Sequence, residues 1–178
     1  MNRFKPRHKA STDGGFTLIE MLVVVIMVGV LAAIAAPGWL AYLNQQRMRT
    51  VQNDLSEVFK QAQTNARQLR LSQQVVIDTA ADVPTVTVNG SAERLGSGNI
   101  NPGTVTLSAS STPASVTFDY RGIPTEPGKI PFVVTVTPAG ATARRCVIVA
   151  NLLGGIKTGT NTQCDAASLT DSNLGTVR

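Results

Sequence analysis

The stretch Gly15-Phe16-Thr17-Leu18-Ile19-Glu20, followed by the charge-free run Met21–Trp39, decides the fold of this 178-residue chain. Nineteen residues without a charge are enough to span a bilayer core of about 30 Å as a helix. Ahead of them, residues 1–15 carry Arg3, Lys5, Arg7 and Lys9 against one acid, Asp13. That bias holds the N-terminus in the cytoplasm and sends the downstream chain outward. A secretory signal places its small-residue cleavage site after the apolar region. Here Gly14 and Gly15 come before it, so a cut after Gly15 leaves the apolar segment on the protein as its first helix. Glu20 then lies at the edge of a hydrophobic helix, where an isolated charge is costly and asks for a partner. A generic single-pass anchor, with Glu20 snorkelling to the headgroups, is the plain alternative.

The Gly15–Glu20 sequence resembles the type IV prepilin class. The resemblance implies cleavage after Gly15 by a prepilin peptidase, N-methylation of Phe16, and a meeting of the Glu20 carboxylate with the terminal amine of a neighbouring subunit during assembly. Opposite charges attract strongly inside an apolar bundle. Pro37 falls where many pilins carry a helix-bending proline.

The helical pattern continues past the apolar run. Val51, Leu55, Val58, Ala62, Ala66 and Leu69 draw one apolar stripe, with Gln, Asn, Arg and Lys on the other face, and no proline occurs between Trp39 and Leu71. The spacing predicts one helix from Phe16 to about Leu71, kinked near Pro37-Gly38. From Gln73 the period changes to that of strands, expected at 74–78, 85–88, 104–108, 115–120, 131–137 and 145–150, with a short one near 156–158. Turn signals such as Asn89-Gly90, Pro127-Gly128 and Gly154-Gly155 divide them. The expected class is α+β: a long N-terminal helix packed on one antiparallel sheet, the type IV pilin fold. The Ser-, Gly- and Asn-rich segment 89–115 reads as a mobile loop around one short strand. The expected division is a leader at 1–15, a transmembrane or filament-core half-helix at 16–43, and a head at 44–178.

The head resembles the GspH/FimT family of minor pilins and pseudopilins. The carrying residues are Val116–Gly122, then Arg145-Cys146-Val147-Ile148-Val149, then Leu153-Gly154-Gly155-Ile156-Lys157. This implies a structural, assembly-priming subunit of a type IV pilus, stored in the inner membrane with its head in the periplasm. Its partners would be other pilins, through the N-terminal helix. A type II secretion pseudopilin and a DNA-binding minor pilin for transformation are the alternatives.

Charge and chemistry narrow the function further. The formal +5 is misleading: the leader holds much of it, and from Ser72 to Arg178 seven bases balance seven acids. A neutral head argues against strong nonspecific DNA affinity. The Gly-Arg-x-Arg tail motif of DNA-binding relatives is absent. Arg144, Arg145 and Lys157 are the one candidate DNA patch, and a solvated strand end is favoured over it. The sole histidine, His8, is in the leader, so catalysis is not expected. No metal or cofactor is expected either: no cluster has zinc-ligand spacing, and Asp165 and Asp171 alone do not favour calcium. Asp78 and Asp82 read as a strand end and its loop, and the Asn89-Gly90-Ser91 sequon as chance. Cys146 and Cys164 lie in the exported part, where disulfides persist. Two free buried thiols are the alternative to a bond that would contribute about 3 kcal/mol in the chain-entropy model.

Overall fold

A computed structural model describes residues 15–97, 100–140 and 142–165. Helix α1 runs Leu18–Leu69 and continues through Pro37-Gly38, so the proline does not end it. The chain divides into two compact units, one ending at Ala41 and one starting at Tyr42. In the first, Leu18–Ala35 has mean hydropathy 2.8 and none of it is buried. It is long and apolar enough to cross a membrane.

In the second unit, the rest of α1 buries one face. Met48, Val51, Leu55, Val58, Phe59, Ala62 and Ala66 all join the core. The predicted stripe therefore ends at Ala66: Leu69 is 61% exposed, in the last turn before the chain reverses at Arg70 (φ 54°). The strands come next as β1 Gln73–Asp78, β2 Thr85–Val88, β3 Ser91–Arg94, β4 Val105–Ala109, β5 Ser115–Phe118, β6 Phe132–Pro138, β7 Arg145–Val149 and β8 Ile156–Thr160.

They form two antiparallel four-stranded sheets, ordered β3-β2-β1-β5 and β4-β6-β7-β8, in place of the single sheet expected. Both feed one core. Val75, Ile77, Val86, Val116 and Phe118 come from the first sheet. Val105, Leu107, Phe132, Val134, Val136, Val147 and Val149 come from the second. Phe59 of the helix stands edge-on to Phe118 of one sheet and Phe132 of the other, with centroids 6.4 and 6.3 Å away.

The expected mobile loop 89–115 is instead largely folded. Asn89 (φ 49°) and Gly90 (φ 86°) both take the positive φ of a tight hairpin turn, which pairs β2 with β3. Strand β3, Ser-Ala-Glu-Arg, is exposed throughout and has no apolar alternation, so its sequence carries no strand signal. Beyond it Leu95 and Ile100 are buried, and Asp54 of the helix accepts hydrogen bonds from the N–H groups of Gly96 (2.8 Å) and Ser97 (3.2 Å). Asp78 closes its own turn, accepting from Ala80 and Ala81 N–H, as a strand-end aspartate should.

Two loops are held to the helix by polar side chains. Gln63 Nε2 donates to Gly122 O (3.0 Å) and Gly154 O (2.6 Å), and Arg67 Nε donates to Arg121 O (2.9 Å). The loop after β5 turns on Asp119, whose Oδ1 accepts from Arg121 N–H (2.8 Å) and Ile123 N–H (3.1 Å) while Oδ2 pairs with Arg121 Nε at 3.1 Å. Desolvation pushes the Asp119 pKa up, but the backbone donors of Ile123 and Arg121 and the Arg121 guanidinium outweigh it and hold the carboxyl below its ordinary value.

This packing makes three outcomes testable. Phe59→Ala removes the ring common to both sheets and should cost about 3–5 kcal/mol by urea denaturation. Gly154 has φ 79°, and a Cβ there would lie 2.3 Å from Gln63 Nε2 and 2.7 Å from Gly122 O; Gly154→Ala should cost about 1–3 kcal/mol in the same assay. A lowered Asp119 pKa gives stability that is present above the unfolded value and lost as pH falls through the folded one. Asp119→Asn keeps the Oδ1 acceptor but not the titration, so its urea midpoint should fall less than wild type's below about pH 4.

Candidate functional site

The N-terminal segment presents an exposed, irregular stretch followed at once by a capped helix. Gly15, Phe16 and Thr17 are exposed and outside regular structure, and α1 begins at Leu18. The Thr17 hydroxyl accepts from the Glu20 N–H at 3.3 Å. That contact is one half of the Thr-x-x-Glu capping box, a start signal that the sequence carries within Gly15–Glu20. Glu20 also occupies the first turn, where the helix dipole favours a negative charge. Its side chain is exposed, as are its apolar neighbours from Met21 to Ile26. The leader cations Arg3, Lys5, Arg7 and Lys9, together with His8, lie outside the described residues.

Cys146 and Cys164 are bonded, with Sγ–Sγ 2.17 Å and Cα atoms 5.6 Å apart. The disulfide fastens the 3₁₀ turn Asn161–Cys164 to β7 on the sheet face away from the helix, beside Val133, Ile148 and Ala150. A Cβ on Gly159 would stand 3.1 Å from Cys146 Sγ, closer than ordinary van der Waals contact. On the helix side of the same strands lies Gln52, 4% exposed. Its Nε2 donates to Cys146 O (2.8 Å) and Gly159 O (3.0 Å), and its Oε1 accepts from Arg145 Nη1 (3.1 Å). Residue type alone assigns Gln52 and Gln63 to the polar face of α1, and the structure corrects this. The spacing of Met48, Gln52, Leu55, Phe59, Gln63 and Ala66, in steps of four and three, places both on the buried stripe.

The three cations of the candidate DNA patch are not brought together. Arg145 belongs to the helix-side face of β7 with Val147 and Val149, and reaches Gln52. Burial pulls its pKa below the ordinary guanidinium value, and the like charge of Arg49 adds to the shift. Lys157 pairs in register with Ile148, whose side chain faces the disulfide cluster on the other side of the sheet. Arg144 makes an ion pair with Asp165 at 3.3 Å, and its N–H donates to Asn161 Oδ1. Asp165 is therefore engaged with an arginine, and Asp171 lies outside the described residues. No group of three or more metal-ligating side chains occurs among the described residues. The sequon asparagine is occupied too: Asn89 Oδ1 accepts from Gln74 N–H (2.9 Å) and its Nδ2 donates to Gln73 Oε1.

Comparison with known proteins places this geometry. Residues 11–36 match the model of the prokaryotic N-terminal methylation motif. The chain is 34% identical over 59 residues to the type IV major pilin protein PilA of Myxococcus xanthus, a match covering 33% of this chain and 24% of that protein. It is thus similar to only about a quarter of PilA's length. It is 25% identical over 120 residues to the type IV major fimbrial protein FimA of Dichelobacter nodosus, covering 67% of this chain and 70% of that one. In fold it is similar to the crystal structure of the type IV minor pilin FimU of Pseudomonas aeruginosa, with TM-score 0.54 and 13% identity over 70% of this chain and 99% of that one. A methylation motif that leads into an exposed apolar helix, and a head similar in fold to a type IV minor pilin, are what this chain shares with the proteins it resembles.

Proposed function

We propose that the chain is a minor pilin, a structural, assembly-priming subunit of a type IV pilus. The single observation carrying this reading is the head: its fold is similar to the minor pilin FimU over 99% of that chain. The prepilin peptidase cuts after Gly15, and the new amine on Phe16 is methylated. The apolar helix is held in the inner membrane with the head on the periplasmic side, and is then drawn into a filament core with Pro37 as its bending point. There Glu20 meets the Phe16 amine of a neighbour. In the isolated chain Glu20 is exposed, and its carboxylate joins no ion pair among the described residues, which suits a contact made only on assembly. The role is structural rather than catalytic, in keeping with the absence of histidine after Gly15. Arg144, Arg145 and Lys157 are divided between two faces of a sheet, which does not favour the DNA-binding alternative.

The test is an immunoblot of whole cells and sheared filaments. Wild type should be a minor constituent of the sheared fraction. Glu20→Ala should be processed normally, because the scissile bond is intact. Its incorporation should drop about tenfold or more, the equivalent of roughly 1.4 kcal/mol of subunit contact. Normal incorporation of the processed variant overturns the assembly role.

A further inference from the structure

From Ser72 onward bases and acids balance, so the head's positive excess lies on the helix, where Arg47 and Arg49 stand near its start. Arg47 and Arg49 follow Trp39 by eight and ten residues on one helix. Arg145 is tied to the next turn of that helix through Gln52, and Arg49 is close enough to act on its charge. Arg144 and Arg145 line a depression of about 220 Å³ together with Gln45, Met48, Thr160 and Asn161. Arg47 lines a second, of about 410 Å³, with Leu43, Thr50 and Ile100. The basic side chains thus lie on or beside the first turns of the helix inside the head, a broken collar of positive charge.

Little within the chain neutralises this collar. Among the described residues, Asp165 is the one carboxylate in an ion pair with any of the four arginines. The nearest helix acid, Asp54, is committed to the N–H groups of Gly96 and Ser97. Arginines so soon after an apolar span, on its outward side, run against the usual bias of basic residues to the cytoplasmic side. Their retention asks for an anion outside the chain. Guanidinium groups bind phosphate oxygens readily, and a basic cluster beside a bilayer is drawn to anionic headgroups.

We propose that this collar is a lipid-headgroup contact. While Leu18–Ala35 is embedded in the bilayer, Arg47, Arg49, Arg144 and Arg145 hold the base of the head against the phosphates of anionic phospholipid. The proposal rests on the reading of that helix as membrane-stored. Such a contact is screened by salt and made of separate weak pairs, so it steadies the stored subunit without preventing its extraction.

The test uses the full chain in vesicles of phosphatidylcholine alone or mixed with phosphatidylglycerol. Flotation reads insertion, and hydrogen exchange reads amides within 142–147 and 158–163. Protection should rise in the anionic vesicles by about fivefold per arginine engaged, and fade at high salt. A double variant, Arg47→Gln with Arg49→Gln, leaves the Arg145–Gln52 contact in place and should lose much of the protection while keeping its fold by circular dichroism. Flotation with equal exchange in both vesicles overturns the collar alone. Failure to float overturns the membrane reading and the collar with it. Inorganic phosphate giving the same protection in phosphatidylcholine vesicles would reassign the site to a free anion. Stronger protection by duplex DNA would make it a nucleic-acid surface, and either result overturns the lipid assignment.

Discussion

Two sheets that share no strand must find a common floor, and helix α1 supplies it. Each sheet buries one face in the same core, and the residues from Met48 to Ala66 close that core from the other side. Burial of apolar area is the dominant favourable term in folding. The position of Phe59 shows how the constraint is met: its ring touches one large aromatic from each sheet. Every other device in the head fixes a loop or an edge relative to this arrangement.

The polar devices are few and each does more than one thing. Gln52 satisfies two carbonyls of β7 and β8 and gives Arg145 an acceptor. Gln63 satisfies a carbonyl in each of two loops. A buried amide without partners would destabilise the core, whereas a fully bonded one specifies a unique register. The side chains with buried polar atoms among the described residues all find partners. The disulfide acts from the opposite face of the second sheet. It fixes the segment ending at Cys164 beside the small cluster of Val133, Ile148 and Ala150.

Much of this is legible in the sequence. The helix can be read to within two residues at each end, because a long apolar run joined to a 3.6-residue stripe has few other solutions. Most strands can be placed within a residue or two, since Val-rich alternation is a strong local signal. The features that escape are non-local. Alternation says which residues share a face and not which strand lies alongside, so it cannot tell two sheets from one. Strand β3 pairs through its backbone alone, and its side chains carry no pattern. Grouping Arg144, Arg145 and Lys157 takes closeness along β7 and β8 for a common face; the two-residue period of a strand puts Arg145 and Lys157 on opposite sides.

The helix cap at Thr17 lies on the far side of the Gly15–Phe16 bond from the leader. A cut at that bond would break no helical hydrogen bond among the described residues. Proteolysis there would edit the charge of the chain and leave the Thr17 cap in place. A peptidase acting at Gly15–Phe16 would meet an exposed, non-helical bond with no helix to unwind first. In the proposed pathway, maturation and folding would then run as independent clocks, and telling a damaged head from a sound one would fall to assembly.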